Sequence, residues 1–144
     1  MTCNDCENKE NCIMSAPDGN WKACDDFIVR RYRVKVNILG QDYEIIKQTK
    51  EENPKLEDSY GFCEIYSKKI VIDDSIGKDN DKMTVENIDL FINKVMRHEV
   101  IHAFFGESGL DINTDFARNE ELVDWLAYQI PKMWKVFIEL GIEK

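Results

Sequence analysis

The residues best placed to do chemistry are two histidines and the glutamate that follows the first of them. His98, Glu99 and His102 form the pattern His-Glu-x-x-His, and both histidines of the 144-residue chain lie in it. Residues four apart share one face of a helix, so both imidazoles can donate a ring nitrogen to one metal ion. Glu99 lies one position round the helix, within reach of a water on that ion. This is the spacing of a zinc-dependent peptidase site with Glu99 as general base, the alternative being two histidines satisfied by hydrogen bonds on a helix face.

A third metal ligand is predicted on the following helix. Glu120 and Asp124 are four apart and share one face, so Glu120 can ligate the ion while Asp124 accepts the free ring N–H of a ligating histidine. Glu121 is the competing ligand, but it shares its face with Trp125, which indicates a different orientation. The alternative is that these are ordinary acidic residues in a first helical turn, where the helix dipole stabilises them.

A second zinc site is predicted in the N-terminal segment. Residues 1–26 carry four of the five cysteines, with turn-forming residues between them: Cys3, Cys6, Cys12 and Cys24. Cys3 and Cys6 have the Cys-x-x-Cys spacing that begins many tetrahedral thiolate sites, so we expect one structural zinc here. Disulfides and free thiols are the alternatives. Cys63 lies in a strand pattern and is predicted to be a small buried apolar residue.

Apolar patterns separated by turn residues, with period-two alternation in the first strand, predict a small sheet before the motif helix. We expect strands at 32–38, 43–48, 61–66 and 69–73, followed by a polar, solvated and mobile loop over 73–82. The fold class is therefore α+β: a small twisted antiparallel-rich sheet of about four strands packed on an active-site helix and C-terminal helices, with a short N-terminal Cys-rich segment.

The motif helix is predicted from about Val85 to Phe105, with Thr84 as its N-cap and Gly106 as its C-cap. In the C-terminal segment, Pro131 is expected to kink or restart the helix. The residues after Pro131 are apolar on nearly every face, which predicts either a last core helix or a partner-binding helix.

The composition excludes some classes of function. The formal net charge of −9 disfavours nucleic acid as a partner, because phosphate recognition needs clustered Lys and Arg. Neither an apolar run of about 20 residues nor the apolar core of a secretory signal is visible. We therefore expect a cytoplasmic protein with a peptide or protein partner and no membrane association.

The two motifs together resemble those of a known family. His-Glu-x-x-His followed by Asn-Glu-x-x-x-Asp, with 17 residues between His102 and Glu120, is similar to the gluzincin metallopeptidases. The run RHEVIHAFFGESGL…NEELVDWLA also resembles small metallopeptidase-like proteins of phages and prophages, of the ImmA/IrrE type. The resemblance covers about residues 30–130.

The resemblance implies a minimal metallopeptidase domain over 27–144, with a short twisted sheet and two active-site helices. It implies zinc held by the two histidines and Glu120, with Glu99 as base and proton shuttle and Asp124 as the carboxylate partner of a histidine. It also implies that the strand Ile70 to Asp73 is an edge strand that pairs with an extended substrate.

The chain departs from the larger family members in one respect. They place a Tyr or His further along to stabilise the oxyanion; here the candidates are Tyr128, Tyr60 and Tyr66. The predicted function is a selective zinc-dependent peptidase, encoded by a phage or prophage. The alternative is a non-catalytic, zinc-stabilised binding module, in which Asp111 or Cys63 supplies a fourth protein ligand.

Overall fold

The structure is a computed structural model that describes residues 32–78 and 86–144. All of these residues belong to the second of two units of the chain, Arg31–Lys144. The predicted zinc ligands Cys3, Cys6, Cys12 and Cys24 lie outside the described residues. The zinc site in the cysteine-rich segment therefore stays a prediction.

Four strands form one mixed sheet. They are β1 (Arg33–Ile38), β2 (Gln41–Gln48), β3 (Gly61–Glu64) and β4 (Lys69–Asp73). Their order across the sheet is β1-β2-β4-β3; β1–β2 and β3–β4 are antiparallel, and β2–β4 is parallel. The α+β class and the four-stranded sheet agree with the sequence analysis.

The prediction that Ile70 to Asp73 forms an edge strand is wrong. β4 lies between β2 and β3, and Ile70, Val71 and Ile72 are at most 1% exposed. Three consecutive buried apolar residues are typical of a strand covered on both faces, and β4 also has a hydrogen-bonded neighbour on each side. The edge strand on that side of the sheet is β3.

Three helices follow the sheet: α1 (Ile88–Glu107), the single turn α2 (Leu110–Asn113) and α3 (Glu120–Leu140). The Asn87 side chain accepts a hydrogen bond from the Leu90 amide and caps α1, so the cap is three residues later than the predicted Thr84, which itself lies outside the described residues. At its other end α1 continues through Gly106 to Glu107. Gly106 lies where the Ile65 side chain crosses the helix, since a Cβ there would be 2.1 Å from Ile65 Cδ1.

The core lies between the sheet and α1. Apolar side chains from three strands meet α1 at Val95 and Ala103: Ile38, Tyr43, Ile45, Ile70 and Ile72. Asp73 and Ile76 are also buried, so the predicted solvated loop packs against the fold where it begins.

α3 runs without interruption through Pro131, so the helix does not restart there. Proline has no N–H for the carbonyl four residues earlier, which is that of Ala127. The Arg97 side chain from α1 donates to this carbonyl instead, with a distance of 2.6 Å between Nε and the oxygen. This hydrogen bond joins the two long helices at Ala127, the last fully buried residue of α3.

The prediction of a last core helix after Pro131 is wrong. The large apolar side chains of this part of α3 are 41–65% exposed: Met133, Trp134, Val136, Ile138 and Leu140. A partner-binding role for this segment stays a prediction. None of the helices in the described ranges combines the length and the apolar composition that crossing a bilayer needs.

Candidate metal centre

The two histidines of α1 face the first residue of α3. The His98 and His102 Nε2 atoms are 3.0 Å apart, as the four-residue spacing on one helix predicts. Glu120 reaches both: its Oε2 is 3.0 Å from His98 Nε2, and its Oε1 is 3.4 Å from His102 Nε2. Asn119 caps α3 by accepting from the Leu122 amide, and this fixes the backbone from which Glu120 projects.

These three residues fit a zinc ion. Two ligands about 2.1 Å from a tetrahedral zinc lie about 3.4 Å from each other, close to the three separations found here. Two imidazoles and one carboxylate are the donor set of an open, catalytic type of zinc site. In the described part of the chain, no other group of three histidine, cysteine or acidic side chains brings its ligand atoms within 4.8 Å of one another.

Asp124 contacts His98 at the ring nitrogen that faces away from Glu120 and His102, and Lys94 contacts Asp124. Asp124 Oδ1 accepts a hydrogen bond from His98 Nδ1 at 2.6 Å, which leaves the Nε2 lone pair directed at Glu120 and His102. The same Oδ1 accepts from the Lys94 ammonium. Burial alone would raise the pKa of Asp124, but the hydrogen bonds from Lys94 and His98 outweigh it and lower the pKa below its ordinary value.

Glu99 lies under the edge strand β3. Its side chain is 6% exposed, and a Cβ on Gly61 would come within 3.2 Å of Glu99 Cγ. Burial raises the pKa of Glu99 to about 7, and the Glu120 charge acts in the same direction. A carboxylate whose pKa lies near neutrality can both accept and return a proton, which is what a general base in this position must do.

The pKa of His102 is lowered, which also favours metal binding. Burial is the largest cause of the lowered pKa of His102, and His98 adds to it, while Glu120 opposes both. The ring is therefore held toward its neutral form, which is the form that ligates a metal.

No known protein family, curated protein or solved structure matches this chain. The resemblance to the gluzincins therefore stays a prediction that rests on the residues quoted above.

The ligand atoms face a cleft of about 480 Å³ between β3, α1 and the start of α3. β3 supplies Gly61, Phe62 and Cys63 to its wall, and the preceding Tyr60 lies at its side. This volume is within the usual range of small-molecule and peptide side-chain sites. The predicted ligand atoms and Glu99 therefore share one cleft, of which β3 forms a wall.

The three candidate oxyanion donors are placed differently. Tyr60 lines the cleft, with its ring 5.1 Å from that of Phe91 in an edge-to-face contact. Tyr128 lies beside Lys94, whose ammonium is 5.6 Å from the centre of its ring, and it is not part of the cleft wall. Tyr66 is 97% exposed on the turn after β3. Of the three, the geometry favours Tyr60.

The proposed competing ligands lie outside the group. Glu121 is exposed, and neither Asp111 nor Cys63 belongs to the cluster of ligand atoms formed by His98, His102 and Glu120. Burial raises the pKa of the Cys63 thiol to about 12, with the Glu99 charge adding to the effect, so Cys63 remains a protonated, half-buried thiol. Asp111 Oδ1 is buried and without a hydrogen-bond partner.

Sequence reasoning missed two residues of this site. Lys94 precedes His98 by four residues, a spacing that places it on the same face and was visible in the sequence. Gly61 opens β3, and its importance appears only when the helix is packed beneath the strand, because the missing side chain makes room for Glu99.

Proposed function

We propose that this protein is a zinc-dependent peptidase of the gluzincin type, related to the small phage and prophage metallopeptidases. The observation that carries the proposal is the convergence of His98, His102 and Glu120 next to the buried Glu99. A three-residue donor set leaves a coordination position for water or substrate, which favours an enzyme over a purely structural zinc site. The alternative of a non-catalytic binding module requires a fourth protein ligand at that position.

The residues of the site have different roles in the proposed reaction. His98, His102 and Glu120 would hold a zinc ion, which when bound would polarise a peptide carbonyl as a Lewis acid and lower the pKa of a water toward about 7. Glu99 takes a proton from the attacking water and delivers it to the leaving nitrogen. Its burial under β3 keeps it close to the cleft and raises its proton affinity.

The substrate in this proposal is an extended peptide that adds to the open edge of β3. The Asp73 amide donates to the Tyr60 carbonyl, so Tyr60 and Asp73 form a hydrogen-bonded pair. Such pairs alternate along antiparallel strands, so the backbone groups of Gly61 and Cys63 point away from β4. An extended peptide paired with them would run past the metal site.

The test is cleavage of a proteome-derived peptide library by the zinc-loaded full chain, with new termini read by mass spectrometry. We expect the wild type to cleave and Glu99→Gln to lose cleavage while keeping its zinc, because the substitution removes the base but no ligand. The exposed neighbour variant Glu121→Gln is the matched control and should cleave like the wild type.

The same preparations test the ligands. His98→Ala or Glu120→Ala should lower the zinc content by about one equivalent relative to the wild type. Equal cleavage by wild type and Glu99→Gln would rule out Glu99 as the base. Unchanged zinc content in the ligand variants would show that the ligand set is wrong.

A further inference from the structure

Lys94 is held in an unusual position for a lysine. Its side chain is only 14% exposed, although it lies on α1 one turn before His98. Its ammonium donates to Asp124 Oδ1, the same oxygen that accepts from His98 Nδ1. The Tyr128 ring lies 5.6 Å from the ammonium. Burying a long cationic side chain is costly unless a specific partner compensates it, and here the partner is the carboxylate that supports a predicted zinc ligand.

The charge in the cleft gives Lys94 a second role. Three carboxylates line the cleft, those of Glu99, Glu120 and Asp124, and among the described residues Lys94 is the sole Lys or Arg in its lining. Together with a bound divalent cation, Lys94 would balance these three negative charges. Without it, the carboxylates would repel one another in a partly buried space.

We propose that Lys94 is a positioning residue of the metal site, which orients His98 by fixing the Asp124 carboxylate against His98 Nδ1–H. Of the proposed function, this inference requires zinc binding at the histidine site but not peptide cleavage. Lys94 lines the cleft, but its ammonium donates to Asp124 and not to a predicted ligand atom, so we expect it to act on the metal through Asp124. Carboxylate partners of metal-ligating histidines fix the ring orientation and its tautomer, and their loss weakens metal binding by about 10–100-fold.

A simple ion pair between α1 and α3 is the competing explanation. In that case loss of Lys94 would lower the stability of the metal-free fold, and zinc affinity would change no more than stability predicts. The two explanations differ in the coupling of Lys94 to Asp124 when zinc affinity is measured. A double-mutant cycle isolates that coupling.

The experiment measures zinc affinity of the full chain by competition with a chelator. A His98→Ala/His102→Ala double variant, which retains every cysteine, defines the zinc held elsewhere in the chain. We expect Lys94→Met to weaken zinc binding at the histidine site on the order of tenfold. Lys94→Arg should retain most of the affinity because it keeps the charge and the donor. Lys132→Met, which removes an exposed cation from α3, is the control and should bind zinc like the wild type.

The cycle is completed with Asp124→Asn and with Lys94→Met/Asp124→Asn. We expect the double variant to bind zinc no more weakly than Asp124→Asn alone, since Lys94 acts through the carboxylate. The absorption spectrum of the cobalt-loaded protein should change in Lys94→Met and not in Lys132→Met, because it reports the ligand geometry. Should Lys94→Met not fold, Lys94→Gln takes its place in the cycle.

Each outcome decides between the explanations. Wild-type zinc affinity in Lys94→Met, or losses that add fully in the double variant, would overturn the role of Lys94 and leave the peptidase proposal standing. A wild type that binds zinc but cleaves no peptide would overturn the peptidase and leave the role of Lys94 to be judged by affinity. A wild type that holds no more zinc than the double histidine variant would overturn both.

Discussion

The two halves of α3 have opposite relations to the rest of the described structure. Residues 120–127 pack on α1, where Val123 and Ala127 are fully buried against Ile101, and they carry Glu120 and Asp124. Residues 130–140 expose most of their large apolar side chains. Both halves belong to one continuous helix, so the difference lies in contacts and not in secondary structure.

This difference shows which contacts of α3 hold the predicted metal site in place. Glu120 is itself 68% exposed, so packing of its own side chain does not fix it. Its position depends on the buried residues one and two turns later and on the Asn119 cap before it. Substitutions in the first half should therefore affect both stability and metal binding, whereas those in the second half should affect neither.

The largest effect on stability should come from a charge placed in the first half of α3, compared with the same charge placed in the second half. Val123→Asp buries a carboxylate against Ile101 and Ala127, so we expect a loss of about 4 kcal/mol or more in the free energy of unfolding. Val136→Asp introduces the same charge at a position that is 48% exposed and should change stability by less than about 0.5 kcal/mol. Denaturant unfolding of the two variants measures both values. Similar losses in the two would show that residues 130–140 are packed as well.

The next effect concerns Glu99, whose raised pKa depends partly on the carboxylates of the first half of α3. Its pKa rises from an ordinary value of 4.5 to about 7 in the folded chain, because of burial first and of Glu120 next. The folded state therefore binds this proton more tightly than the unfolded state does. The contribution of Glu99 to stability is fully present below pH 4.5 and is lost as the pH rises through 7.

We accordingly expect the metal-free Glu99→Gln variant to gain stability relative to the wild type as the pH rises. The difference between the two should grow by about 3 kcal/mol between the acid end of this range and pH values above it. Unfolding curves in the presence of a chelator measure it, and Glu139→Gln in the exposed half of α3 controls for loss of a carboxylate. A difference that stays constant with pH would contradict the raised pKa.

The smallest effect tests the junction between the halves. Arg97→Ala removes the donor to the Ala127 carbonyl, which Pro131 cannot supply with an amide, so we expect a loss of about 2 kcal/mol. In a Pro131→Ala background the new amide at position 131 can donate to that carbonyl, and the cost of Arg97→Ala should fall to less than half. Thermal or denaturant unfolding of the four proteins gives the coupling. Equal costs in the two backgrounds would mean that Arg97 contributes by another route.

Much of the site could be predicted because its geometry is local. The four-residue spacings of His98 with His102 and of Glu120 with Asp124 fix which side chains share a helix face. The strand positions also followed from alternation of apolar residues in the first strand and from apolar runs separated by turn residues in the others. The helix ends were less accurate: Asn87 caps α1 and not Thr84, since Asn, Asp, Ser and Thr are similarly good caps and the sequence around residues 84–87 offers more than one.

The order of the strands and the fate of the last helix could not be predicted in the same way. An apolar run identifies a strand but not its neighbours, so β4 was assigned to an edge although it lies inside the sheet. An apolar composition predicts burial only where another surface is present to receive it. In the described structure, residues 130–140 lack such a surface over most of their length.

The amino-acid sequence by itself determined which groups share a helix face, since backbone geometry over four residues is the same in every α-helix. The sequence therefore determined two groups of neighbouring side chains. One is the two imidazoles with the adjacent carboxylate, and the other is the acidic pair of the next helix. Only the tertiary structure decided that these two groups face each other, that Gly61 leaves room for Glu99, and that Lys94 and His98 share one oxygen of Asp124. These relations join residues far apart in the chain, and their distances depend on how the sheet and both long helices pack together.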